Sequence, residues 1–141
     1  VGLISKYRWP IAWAAAIFTS SCTVVSSKSF VQTVSSHSPI RVSQGQFDSF
    51  WDRWWWLFVK GWHSVEFGTL FLLIYLANQR KVGWALLVAC SYGALDEFHQ
   101  SFVPDRGARI TDVMIDWLGI GIVLIVILSL EYRRKRRNEP I

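Results

Sequence analysis

Between residues 60 and 116 the sequence sets carboxylates, imidazoles and guanidinium groups among apolar residues. His63 precedes Glu66 by three positions, Asp96 precedes His99 by three and Gln100 by four, and Asp112 precedes Asp116 by four. At helical spacing each set occupies one side of its helix. Arg106 and Arg109 stand between the second and third sets. A guanidinium binds a carboxylate through two parallel hydrogen bonds, so these arginines are the natural partners of the acids. The chemistry on offer is proton transfer and polar recognition. Asp96 and Glu97 are the candidate catalytic pair, one of them as general base, and Arg106 is a candidate phosphate ligand. His63, Glu66, Gln100, Arg106, Asp112 and Asp116 are the candidate ligand-binding residues.

Plainer readings stand beside this one. Buried ion pairs can close helix ends and fix a fold without doing chemistry. His99 reads better as an interfacial residue with no special task. His63, Glu66, Asp96, Glu97 and His99 include ligand types that suit a divalent ion. Their spacing matches no strong metal motif, and neither a metal nor another cofactor is expected. Ser64, Ser91 and Ser101 lie nearby without a nucleophile elbow around them. Cys22 and Cys90 have no metal or redox spacing and read as small buried hydrophobes.

The elements that position these groups follow from composition. The 141 residues are 52% hydrophobic and 16% aromatic, with nine tryptophans. A short soluble domain has too little interior to hide that much apolar surface, whereas a bilayer lets it face lipid. Four apolar segments cover residues 9–25, 57–77, 82–102 and 112–130. Crossing the hydrocarbon core takes about 20 residues. The second and third segments reach that length only by taking in His63 and Glu66, or Asp96, Glu97, His99 and Gln100. Asn78-Gln79-Arg80-Lys81 reads as a tight turn, and Pro104-Asp105-Arg106-Gly107 punctuates the next gap. The expected fold is all-α, a single integral membrane bundle of four transmembrane helices. Residues 26–56 read as an outer loop, Ser-rich at first and ending in Trp51, Trp54, Trp55 and Trp56. That aromatic cluster suits a short helix lying in the headgroup region.

Charge sets the orientation. With four spans both termini share a side, which holds Lys6, Arg8, Arg80, Lys81 and the run 133–137, nine of 15 basic residues, but only Glu131 and Glu139 of ten acids. Basic loops stay inside, so both termini are expected in the cytoplasm, with 131–141 as a basic tail. The net charge is +5, and in a soluble protein the run 133–137 would point to nucleic acid. Directly after an apolar span it points to membrane lipid instead, and no nucleic acid is expected. Lys6 and Arg8 before an apolar segment also fit a signal peptide, and Thr19-Ser20-Ser21-Cys22 a poor lipoprotein site. The segment has nearly spanning length and no clear small-residue cleavage site, which favours a retained helix. In this topology the starts of the second and fourth helices and the end of the third bring their polar residues to one depth beneath the outer headgroups.

At these residues the sequence resembles the VanZ-like family of bacterial membrane proteins. The closest stretch is Tyr92-Gly93-Ala94-Leu95-Asp96-Glu97-Phe98-His99-Gln100-Ser101-Phe102-Val103-Pro104-Asp105-Arg106. It resembles the family's DExxQ element followed by a Pro-x-Arg turn. Asp112-Val113 with Asp116-Trp117-Leu118-Gly119 is similar to the start of its next helix, and Lys60-Gly61-Trp62-His63 to its Lys-x-x-His element. Asp116 replaces the family's common Asn, and Asp105 a common Gly, both adding negative charge. The family is named for a protein linked to teicoplanin resistance. The resemblance implies a multi-pass protein of the bacterial plasma membrane with a role in the cell envelope.

Three functions follow as expectations. The first is an outward-facing site that binds or modifies an envelope molecule, such as a lipid-linked precursor or a glycopeptide. The second is a non-enzymatic accessory subunit of a larger membrane complex, with Trp51 to Trp62 supplying the contact. The third, a transporter or proton relay, suits intramembrane His and carboxylates, but the polar groups crowd one side instead of crossing the membrane.

Overall fold

The computed structural model describes residues 3–22, 44–104, 107 and 109–138. Among these residues the chain forms four helices and no strands: α1 (Leu3–Ser21), α2 (Gln44–Ala77), α3 (Val82–Gln100) and α4 (Ile110–Asn138).

The helix bounds differ from the expected ones in three places. α1 starts at Leu3, so Lys6 and Arg8 belong to the helix rather than preceding it. α2 runs for 34 residues from Gln44, which makes the tryptophan segment the first part of a single helix instead of a separate surface helix. No proline interrupts 44–77, and Trp, Phe and Leu are tolerated in helices, so nothing stops it at the expected boundary. The remainder of the expected outer loop, residues 26–43, lies outside the described residues. α4 continues past residue 130 to Asn138, so the basic run is helical rather than a loose tail. Lys and Arg are good helix formers and complement the negative end of the helix dipole.

Trp56–Ala77 and Ile110–Arg137 are long and apolar enough to cross a membrane. α1 and α3 have 19 residues each, and α3 carries Asp96 and Glu97 in its last turns. Large apolar side chains face outward along the bundle, among them Trp84, Leu87, Leu95, Met114, Leu118 and Ile125. Such a surface suits lipid better than water.

α2 is the central element. Phe67, Leu70 and Phe71 are buried against Ile17 of α1, Ala85 and Ala89 of α3, and Ile120 and Ile127 of α4. Its closest approach is to α4. A Cβ on Gly119 would stand 1.9 Å from the Ser64 carbonyl oxygen, and one on Gly68 would stand 3.0 Å from the Gly119 oxygen. Ser64 Oγ donates to the Ile115 carbonyl at 3.0 Å across the same crossing. Small residues here let two backbones touch, as is common where helices pack in lipid.

Three of the side-chain hydrogen bonds that hold α1 lie along its length before its last turn. Tyr7 Oη donates to Asn78 Oδ1 (3.2 Å), Trp13 Nε1 to the Glu66 carbonyl (2.9 Å), and Tyr92 Oη to the Ala14 carbonyl (2.7 Å). At the far end Tyr75 Oη donates to Glu131 Oε1 at 2.6 Å. These bonds gather the start of α1, the α2–α3 turn and the last turns of α4 at one end of the bundle. The polar residues singled out above lie toward the other.

Candidate functional site

At that other end a ring of side-chain contacts, polar except for the packing step from α4 to α3, joins all four helices. Ser20, in the last turn of α1, donates to Glu66 Oε1 of α2 at 3.2 Å. His63 Nδ1, one turn before Glu66, stands 3.8 Å from Glu66 Oε2 and 3.8 Å from Asp116 Oδ1 of α4. That separation is too long for a hydrogen bond, and it lies within ion-pair range. Asp116 Cβ lies 3.5 Å from the place a Gly93 side chain would occupy, which brings α4 against α3 one turn before Asp96. Asp96 closes the ring: its Oδ2 accepts from Ser21 Oγ of α1 (2.7 Å) and from Gln100 Nε2 (2.7 Å). Gln100 Nε2 also reaches Ser21 Oγ at 3.4 Å, so these three side chains form a closed triangle.

The interior of this ring is rich in acids. Glu66, Asp96 and Asp116 are all buried, at 5% exposure or less. A carboxylate withdrawn from water needs compensating donors, and without them its burial costs several kcal/mol. Yet Asp96 Oδ1 and Asp116 Oδ1 are enclosed and accept no hydrogen bond among the described residues. His99 Nδ1 is likewise enclosed without a partner, its ring 4.6 Å from that of Phe18 between centroids. The arrangement therefore presents surplus acceptor capacity at the meeting point of four helices. What it can do is receive protons or N–H and O–H donors from a ligand.

Two of the sequence-derived residues face elsewhere. Glu97 Oε1 accepts from the backbone N–H of Arg109 at 2.6 Å, just before α4 begins. It thus places a negative charge on the positive end of that helix. Arg109 meets the acid through its backbone, where a guanidinium fork was expected. Asp112 sits at the rim, where its Oδ1 accepts from Lys60 Nζ at 2.6 Å. Both side chains of that pair are about a third exposed (32% and 36%). A partly solvated pair of this kind contributes little, so Lys60→Met should lower stability in detergent by less than about 1 kcal/mol, with the difference fading in high salt. Thermal unfolding at low and high ionic strength reads this directly. Arg106 and Asp105 lie outside the described residues.

Ser20 and Ser21 are the functional candidates that sequence reasoning missed. Their only signal is position, a polar pair closing an otherwise apolar segment. Ser21 Oγ beside Asp96 has the geometry in which a carboxylate takes a hydroxyl proton. Ser21 is 1% exposed, however, which suits it to holding Asp96 rather than to attacking a substrate. Among the described residues no group of three or more His, Cys, Asp or Glu side chains is placed to hold a metal ion.

A family model described as VanZ/LLP1 matches residues 9–131. That stretch includes all four helices' contributions to the ring. Comparison with curated proteins and with solved structures returned no match.

Proposed function

The chain belongs to the VanZ/LLP1 family, and from that premise we propose that it is a multi-pass protein of the bacterial plasma membrane whose outward-facing polar cluster binds the head of an envelope molecule. All four helices span, with both termini in the cytoplasm. The support for this orientation is the charge balance of the sequence: in a four-span topology nine of 15 Lys and Arg residues fall on the side of the termini, with only two of ten acids. The polar ring then sits beneath the outer headgroups, where amphiphilic ligands reside.

One observation carries the binding role: acids from three helices converge, and enclosed oxygens of Asp96 and Asp116 lack donors among the described residues. A ligand that satisfies them must itself be rich in N–H and O–H groups. Amino sugars and peptides meet that requirement. The head of a lipid-linked peptidoglycan precursor and a glycopeptide antibiotic both carry such groups, and through either one the protein would act in glycopeptide resistance. His63, Glu66, Gln100 and Asp116 line the site with Asp96. Lys60 and Asp112 form its charged rim, and Arg106 is proposed as a further ligand. In any proton abstraction on the ligand Asp96 is the base, held by Ser21 and Gln100, while Glu97 positions the turn by holding the start of α4.

The test is binding of a lipid-linked peptidoglycan precursor, and separately of teicoplanin, to the purified chain in nanodiscs. A hydrogen bond to a charged group contributes roughly 1.5–3 kcal/mol, so Asp96→Asn and Asp116→Asn should each weaken binding about 10- to 100-fold while the helices stay intact. In cells the same variants should lose whatever protection against teicoplanin the unaltered protein gives. Folded variants that bind and protect as well as the parent would remove the proposal.

A second reading draws on the exposed tryptophans of α2. Trp54, Trp56 and Trp62 are 42%, 56% and 58% exposed on the half of the helix nearest the polar ring. Tryptophan is favoured at protein interfaces as well as at headgroup level, which fits an accessory subunit of a larger complex. A stoichiometric partner that survives mild detergent, and is lost in Trp56→Ala and Trp62→Ala, would favour this reading over ligand binding.

A further inference from the structure

At the end of the bundle opposite the polar ring, a groove of about 500 Å³ opens along the membrane-facing side between α1 and α3. Pro10 and Ala14 form one wall, Trp84 and Val88 the other, and Leu70 and Ile74 of α2 the floor. Its size falls within the range of small-ligand sites, roughly 300–1,000 Å³. The lining is almost wholly apolar. Tyr92 closes it toward the polar ring, where its hydroxyl is committed to the Ala14 carbonyl at 2.7 Å. Tyr7 marks the other end, where its hydroxyl is tied to Asn78 in the α2–α3 turn at 3.2 Å.

The charge at this open end identifies the occupant. Tyr7 lies between Lys6 and Arg8, and the turn it bonds to continues directly into Arg80 and Lys81. Arg80 and Lys81 are exposed, as is Arg8. The basic last turns of α4 come to the same end through the Tyr75–Glu131 bond. An apolar slot parallel to the spans, with cations gathered at its mouth, complements a molecule with a hydrocarbon tail and an anionic head. We propose that this groove is a binding site for one acyl chain of an anionic phospholipid of the cytoplasmic leaflet, with its phosphate held by Arg80, Lys81 and the start of α1. The site is separate from the polar ring, and its ligand is a resident lipid rather than the envelope molecule bound there.

Native mass spectrometry of the full chain released from micelles tests the proposal. Palmitoyl-oleoyl-phosphatidylglycerol and the phosphatidylcholine with identical chains are offered in equal amounts. The unaltered chain should retain the anionic phosphatidylglycerol preferentially. A basic residue near an anionic surface contributes enough to change binding by about fivefold, so Arg80→Gln with Lys81→Gln should erase most of a roughly 25-fold preference. Val88→Phe, which fills the groove and leaves the charges in place, should reduce retention of both lipids. Equal retention of the two lipids by the unaltered chain would overturn the proposal. So would undiminished phosphatidylglycerol retention in the charge variant, which tests the site even where Val88→Phe does not fold. A concentration-dependent dimer that Val88→Phe abolishes would also overturn it, by making a second copy the occupant.

Discussion

Gly119→Ala should be the most damaging glycine-to-alanine change among the described glycines. The new Cβ would lie 1.9 Å from the Ser64 carbonyl oxygen and 2.6 Å from its carbonyl carbon. Those atoms are backbone, in mid-helix, and no rotamer change relieves the overlap. α2 and α4 must separate, and Ser64 Oγ then loses the Ile115 carbonyl it reaches at 3.0 Å. Overpacking usually costs about 1–3 kcal/mol, and a backbone-to-backbone collision belongs at or above the top of that range. Against a total stability of about 5–15 kcal/mol, that is a large share. Gly121 provides the control, because a Cβ there meets nothing within 4 Å. Gly121→Ala should raise stability by about 0.5–1 kcal/mol through helix propensity alone. Gly68→Ala should fall between them, since its contacts at 3.0 Å include the Gly119 oxygen but also the movable Val123 side chain. Denaturant titration in micelles, followed by circular dichroism, gives all three values. If Gly119→Ala behaved like Gly121→Ala, α2 and α4 would not meet at this crossing.

The same crossing shows what the sequence could and could not convey. Helical spacing pointed to His63 with Glu66 and to Asp96 with Gln100, and the structure places His63 3.8 Å from Glu66 and bonds Gln100 to Asp96. Those relations are local, and helix geometry alone fixes them. The apolar segments also located four helices, but they marked where hydrophobicity stopped and not where the helices stopped. Hence α4 runs through its basic residues to Asn138, and α2 takes in the tryptophans from Gln44 onward. Relations between helices were harder to read. Nothing in the spacing says that Glu97, one position beyond Asp96 and so rotated about a third of a turn, faces the first backbone N–H groups of α4. Ser20 and Ser21 looked like ordinary small residues, because their role depends on which acids the other helices bring to them. Which atom of an arginine does the bonding was also beyond reach, and at Arg109 it is the backbone nitrogen.

Asp96 is where the stability of this end and its proposed function separate. Asp96→Ala removes the acceptor for Ser21 Oγ and Gln100 Nε2 together. All three residues are buried, so water does not readily replace the lost oxygen. Stranding a buried donor costs about 1–3 kcal/mol, and two of them give an expected loss of about 2–6 kcal/mol. Asp96→Asn keeps an acceptor oxygen, and the Gln100 amide can turn to meet the new NH2 group, so the loss should stay below about 1 kcal/mol. Ser21→Ala removes one of the two donors beforehand. The double variant Ser21→Ala with Asp96→Ala should therefore be less destabilised than the sum of its parts, with a coupling of about 1–2 kcal/mol. Additive losses would mean that the 2.7 Å bond between α1 and α3 contributes nothing to the fold. Binding should follow a different order, because what a ligand needs is the negative charge on the enclosed second oxygen and not the bond to Ser21. Asp96→Asn should then match Asp96→Ala in lost affinity while matching the parent in stability, and Ser21→Ala should do neither. A binding loss that instead rose and fell with stability across the three variants would assign Asp96 to the architecture of the bundle alone.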